Sequence, residues 1–148
     1  MKVLVDTAIW SLALRRKPRP ENEWAIAELA SLIHDRRVAI IGPIRQEILS
    51  GIKERTQFDR LRERLRPFLD VEITVADYEE AALFFNCCRE KGIQGSNTDF
   101  LMCAVAVRNE FAIFTTDEDF TRFAAILPIV LYERTTLTPP AKPDPETP

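Results

Sequence analysis

Residues 2–6, Lys-Val-Leu-Val-Asp, decide the reading of this chain. Three consecutive apolar residues, two of them β-branched, read as a short strand buried on both faces, and the strand ends on a carboxylate. A carboxylate at the end of a buried strand is costly unless something partners it, so Asp6 carries the weakest purely structural explanation in the sequence. Further along, short apolar runs at 38–41, 112–115 and 129–131 read as strands, with a weaker one at 69–73. Between them lie segments at helical spacing: 7–14, 21–35, 43–52 behind Gly42-Pro43, 56–66, 76–91, 98–109 and 118–125. Strands alternating with helices predict an α/β fold, a three-layer α/β/α arrangement around a central parallel sheet of about four to five strands.

The chain has 148 residues, enough for one domain with a real core. Apolar residues make up 46% and charged residues 29%, the balance of a globular chain and not of a disordered one. No apolar run approaches the roughly 20 residues of a membrane span. Asp6 interrupts the N-terminal apolar stretch and the basic run follows it, so no secretory leader and a cytoplasmic location are expected. Five of the ten prolines fall in the last ten residues, which divides the chain into a domain over 1–134 and a proline-rich flexible tail over 135–148. The net charge of −3 hides an asymmetry. Residues 1–67 hold 14 Lys/Arg against 9 Asp/Glu, and residues 68–148 hold 6 against 14. Cys87, Cys88 and Cys103 form no C-x-x-C pair and sit in apolar helical contexts, so three buried reduced thiols are expected.

Four carboxylates occupy special places. Asp6 ends the first strand, Glu47 lies on the helix after the second, Asp99 opens a strongly apolar helix and Asp117 follows the 112–115 strand. In a parallel α/β sheet the carboxyl ends of the strands converge on one edge, where ligands bind. Carboxylates gathered there repel one another unless a hard, oxygen-seeking cation joins them. Mg²⁺ or Mn²⁺ takes such ligands, and one or two such ions activate water for phosphodiester hydrolysis. Taken singly each acid has a plainer reading: Asp99 and Asp117 as helix-terminal residues, Glu47 as an exposed helical one.

Four motifs then carry a family resemblance over residues 2 to about 132. They are Leu4-Val5-Asp6-Thr7-Ala8-Ile9-Trp10; Pro43 followed by Glu47-Ile48-Leu49-Ser50-Gly51; Thr98-Asp99-Phe100-Leu101-Met102-Cys103-Ala104; and Thr115-Thr116-Asp117-Glu118-Asp119-Phe120. In this order and spacing the chain resembles PIN-domain ribonucleases of the VapC toxin type. Ala8, where many members have Ser or Asn, and Met102-Cys103, in place of a commoner Ile-Ala, depart from the pattern without touching the acids. The resemblance implies a Mg²⁺- or Mn²⁺-dependent endoribonuclease with Asp6, Asp99 and Asp117 as metal ligands and Glu47 completing the site directly or through water. It implies supporting roles for Thr7, Thr115 and Asp119, a VapB-like antitoxin partner and a homodimer.

RNA near so many acids also requires cations. Arg15, Arg16 and Lys17, after the first short helix, and Arg45, on the Glu47 helix, are the basic residues expected to meet RNA or the antitoxin. His34 is the only histidine, so a metal-free pair of imidazoles is excluded. No G-x-x-x-x-G-K-[ST] loop occurs, which excludes a P-loop enzyme. The competing reading is a PIN-like module that has lost catalysis and works through partner contacts.

Overall fold

The computed structural model describes residues 1–14 and 17–133. Four strands, β1 (Val3–Val5), β2 (Val38–Ala39), β3 (Ala112–Phe114) and β4 (Val130–Leu131), form one parallel sheet in the order β2-β1-β3-β4. Seven helices surround it: α1 (Thr7–Ala13), α2 (Glu23–His34), α3 (Gly42–Leu49), α4 (Arg55–Leu65), α5 (Val75–Glu90), α6 (Asn97–Asn109) and α7 (Asp119–Ala124). The expected α/β architecture is therefore the one found.

Central position explains β1. Val3, Leu4 and Val5 are fully buried and the strand is paired on both sides. Chain order reverses across it: β1 leads outward to β2, and the chain then returns to β3 on the other side. The crevice between the carboxyl ends of β1 and β3 is thus the switch point of the sheet. Helix α6 is apolar over most of its circumference because it lies inside the protein: Phe100 through Ala106 are all buried. Phe100 packs on Phe85 of α5 at 5.6 Å and on Phe123 of α7 at 4.9 Å between ring centroids, while Trp24 of α2 meets Phe114 of β3 at 6.1 Å.

The weaker strand expected over 69–73 is reduced to a single parallel bridge between Ile40 and Asp70. Two causes act together. Pro43, at the start of α3, ends β2 after two residues, so little edge remains to pair. Arg45 then holds the chain from its far side: its guanidinium donates to Asp70 Oδ1 at 2.9 Å, to Leu65 O at 2.8 Å and to Phe68 O, leaving Leu69 86% exposed. The cysteine expectation also needs correction. Cys88 and Cys103 are buried, but Cys87 is exposed because adjacent helical positions face different ways.

An ion pair between buried Asp77 and exposed Arg108 ties α5 to α6. Asp77, 2% exposed, accepts from Arg108 Nε at 2.7 Å and Nη2 at 2.8 Å, and also closes a capping box with Thr74. Burial opposes its ionisation, but the Arg108 fork and the Thr74 N–H and hydroxyl outweigh burial and hold the Asp77 carboxyl below its usual range. A lowered carboxyl contributes stability at neutral pH that is lost as pH falls through its folded value. Asp77→Asn is therefore expected to be less stable than the parent at pH 7, with the gap narrowing in urea unfolding as pH falls below the ordinary carboxyl value of 3.8.

Gly95 shows a second constraint. A Cβ there would stand 2.5 Å from Phe123 Cζ and 3.0 Å from the Phe100 ring, and both rings are buried and cannot retreat. Gly95→Ala should lower unfolding free energy by about 1–3 kcal/mol through overpacking, measured by denaturant titration.

Candidate metal centre

Asp6 is placed by the backbone before its side chain acts. Its N–H donates to Phe114 O at 2.9 Å, extending the β1–β3 ladder one step past the strand, so its carboxyl sits in the switch-point crevice. The side chain is 7% exposed. Oδ2 accepts from the Thr115 hydroxyl at 2.7 Å, and the same hydroxyl oxygen accepts the Asp117 N–H at 2.9 Å. Thr115 thus couples two of the acids. Burial pushes the Asp6 carboxyl up to about 6; the Thr115 hydroxyl bond works against that, and the charges of Asp99 and Asp117 add to it.

The other acids come from helix ends. Asp99 forms a capping box with Ser96, Oδ2 accepting the Ser96 N–H and the Ser96 hydroxyl accepting the Asp99 N–H, both at 3.1 Å. That arrangement leaves Oδ1 without an intramolecular partner among the described residues. Burial raises the Asp99 carboxyl, the two Ser96 bonds lower it, and the fields of Asp117 and Glu47 raise it again. Asp117 Oδ1 accepts the Asp119 N–H at 2.9 Å and so caps α7. Glu47, on the exposed side of α3, accepts from the Thr7 hydroxyl at 2.6 Å across 40 residues of chain. Asp119 itself pairs with Arg122 at 2.6 Å. The four acids are close enough to perturb one another, and among the described residues none of them forms an ion pair.

This donor set suits a hard divalent cation. All its side-chain donors are carboxylate oxygens, and among the described residues no lysine or arginine pairs with them. Among the described residues no three His, Cys, Asp or Glu side chains stand already gathered to hold an ion. Three of the acids are tied elsewhere by one oxygen, to Ser96, Thr7 and the Asp119 N–H. The residues therefore fit a cation that keeps several waters, as Mg²⁺ does, and not a dry cage of protein ligands.

The basic residues fare differently. Arg45 donates to Asp70 and to two backbone carbonyls, a tie that anchors α3. Lys17 is exposed; Arg15 and Arg16 lie outside the described residues. Sequence reading missed Ser96, although Ser96-x-x-Asp99 has the spacing of a capping box. Cys103 lies under the acids: burial, then the fields of Asp99, Cys88 and Asp6, push its thiol well above the usual range, so it stays protonated. His34 is exposed at the end of α2.

A cluster of carboxylates at the switch point of a four-stranded parallel sheet defines an α/β protein with an acidic cleft. The family profile of the PIN domain matches residues 3–126, and the chain belongs to that family. Its fold is similar to solved structures of low sequence identity. The structure of FitAcB from Neisseria gonorrhoeae aligns with 22% identity and a TM-score of 0.67, covering 91% of this chain and 99% of that one. The structure of VapBC2 from Rickettsia felis bound to a DNA fragment from their promoter aligns with 18% identity and a TM-score of 0.72, covering 89% and 98%. A toxin-antitoxin complex from Klebsiella pneumoniae aligns with 19% identity and a TM-score of 0.59, covering 80% and 90%. No curated protein matches the sequence.

The raised Asp6 carboxyl has a signed consequence for the metal-free protein. A group whose folded value is raised contributes stability below its unfolded value near 3.8, and that contribution is lost as pH rises through about 6. In EDTA, Asp6→Asn should be more stable than the parent by about 1–3 kcal/mol at pH 8 and indistinguishable from it below about pH 4. Thermal unfolding followed across that range checks both ends.

Proposed function

We propose that this PIN domain protein is a Mg²⁺- or Mn²⁺-dependent endoribonuclease, the toxin of a VapBC-type toxin–antitoxin pair. One observation carries the reading: Asp6 is buried with a carboxyl raised to about 6, facing Asp99 and Asp117, and no cation of the described chain compensates them. At neutral pH such a cluster is strained, and an external cation would relieve it.

Asp6, Asp99 and Asp117 would hold the cation, with Glu47 joining directly or through water. One ion or two, when bound, activates water and stabilises charge on a phosphoryl oxygen. The chain supplies positioning. Thr115 fixes the Asp6 carboxylate and the Asp117 backbone together, Thr7 holds Glu47, and the Ser96 box turns Asp99 so that one oxygen remains available. Asp119 steadies Asp117 through its N–H. No side chain serves as nucleophile in this reading: Cys103 stays protonated under the floor of the site, and His34 stands at the far end of α2.

The partner assignments rest on resemblance. Two of the structural neighbours described above are VapBC2 and a toxin-antitoxin complex, which supports a VapB-like antitoxin as partner. RNA as substrate, a homodimer, a cytoplasmic location and a tail over 135–148 separate from the domain over 1–134 belong to the same proposal. No helix of the described residues is long and apolar enough to cross a membrane.

The test is cleavage of a structured RNA pool by the purified, partner-free protein in Mn²⁺, Mg²⁺ or EDTA. Discrete cuts that require metal are expected, with a loss of at least about a hundredfold in Asp6→Ala and in Asp99→Ala. Cutting that persists in both variants or in EDTA overturns the reading. A folded protein that neither cuts nor binds Mn²⁺ by calorimetry would instead be a PIN-like module acting through partner contacts.

A further inference from the structure

Beside the acids lies an open groove of about 360 Å³ lined by Pro43, Gln46, Glu47, Ser50 and Thr98. The first four are one stripe of α3, spaced i, i+3, i+4 and i+7, and Thr98 comes from the first turn of α6. Glu47 belongs to both the groove and the metal centre, so whatever fills the groove lies next to the reacting bond. The size is that of a small-ligand pocket, which usually runs to roughly 300–1,000 Å³.

The lining selects the occupant by its chemistry. Among the described residues no Lys or Arg lines the groove, so the lining offers a phosphate no charged partner of its own. The polar groups besides Glu47 are neutral. Among the described residues neither the Gln46 amide nor the Thr98 hydroxyl has a partner, while the Ser50 hydroxyl donates to Gln46 O at 2.7 Å and keeps its lone pairs free to accept. An amide offers a donor beside an acceptor, and every nucleobase edge offers the complement. Pro43 adds an apolar ring face. A base reaches such a groove only when it is out of its stack, which duplex RNA does not permit.

We infer that this groove is a nucleotide subsite that takes one unstacked base of single-stranded RNA next to the cleaved phosphate, with Gln46 as the residue that reads the base edge. The inference rests on the nuclease reading and deepens it. Gln46 is a specificity residue and not a metal ligand: its amide stands clear of the four acids' hydrogen bonds.

The experiment separates the two. Binding is measured by fluorescence anisotropy of a fluorescein-labelled, mixed-sequence ten-nucleotide RNA, single-stranded or annealed to its complement, on full-length Asp6→Asn protein with Mg²⁺. Cleavage of the same single strand is measured on the otherwise unaltered protein. Single-stranded RNA is expected to bind at least about tenfold more tightly than the duplex. Gln46→Ala should weaken that binding and raise KM about five- to tenfold with kcat within about twofold, and shift the preferred cut positions. Gln46→Glu, which keeps the shape but loses the donors and adds charge, should be worse than Ala. Both substitutions lie on an exposed helical position, and unchanged melting temperatures confirm intact folding. Metal-dependent cutting with equal affinity for single strand and duplex, or with KM and cut positions unmoved by either variant, overturns the subsite and leaves the nuclease standing. Absence of both cutting and RNA binding in the parent protein removes the nuclease reading and the subsite with it.

Discussion

Much of this molecule depends on one pair of hydrogen bonds at the end of β1. The Asp6 N–H reaches Phe114 O, and the Thr115 hydroxyl reaches Asp6 Oδ2. The first is a ladder bond and belongs to the fold; the second joins side chains more than a hundred residues apart and belongs to the site. Because they act on the same residue, the register of the sheet sets the geometry of the acids. A slip of one residue between β1 and β3 would turn Asp6 to the opposite face and away from Thr115. The buried strand is what makes that slip costly: Val3, Leu4 and Val5 have no exposed face to turn to.

The buried acids are costly, and among the described residues no Lys or Arg pairs with them. The chain has Arg and Lys in quantity, yet the ion pairs of the described residues lie elsewhere: Arg108 on Asp77, Arg45 on Asp70, Arg122 on Asp119, and the α4 arginines on Asp59 and Glu63. Hydroxyls and backbone N–H groups position the four acids instead. Neutral donors orient a carboxylate while leaving its charge available, and a guanidinium would cancel it.

The sequence disclosed the ends of β1 and β3 clearly because central strands are written as short, wholly apolar runs; Asp6 follows β1 directly, and Asp117 follows β3 after Thr115-Thr116. It disclosed α6 for the same reason, since a helix apolar on nearly all sides has to be interior. It misjudged places where one side chain from elsewhere overrides local pattern. Residues 69–73 have the apolar, β-branched character of a strand, but Arg45 fixes Asp70 and the carbonyls before it, and only one bridge forms. Cys87 reads as apolar by neighbourhood, and the helix turns it outward. The hydrogen bond from Thr7 to Glu47 was invisible to spacing, because nothing local relates positions 40 residues apart.

Arg45 shows how such a miss bears on function. It stands two positions before Glu47, about 200° around the helix, so the two point in nearly opposite directions. One anchors α3 to the end of α4 and to Asp70; the other reaches Thr7 at the edge of the crevice. A short helix held on both sides cannot roll, and its exposed stripe of Pro43, Gln46, Glu47 and Ser50 is therefore presented at one angle to the acids and to Thr98. The basic residue that the sequence offered as a contact for RNA acts on the site from behind, by fixing the helix whose opposite face forms the groove.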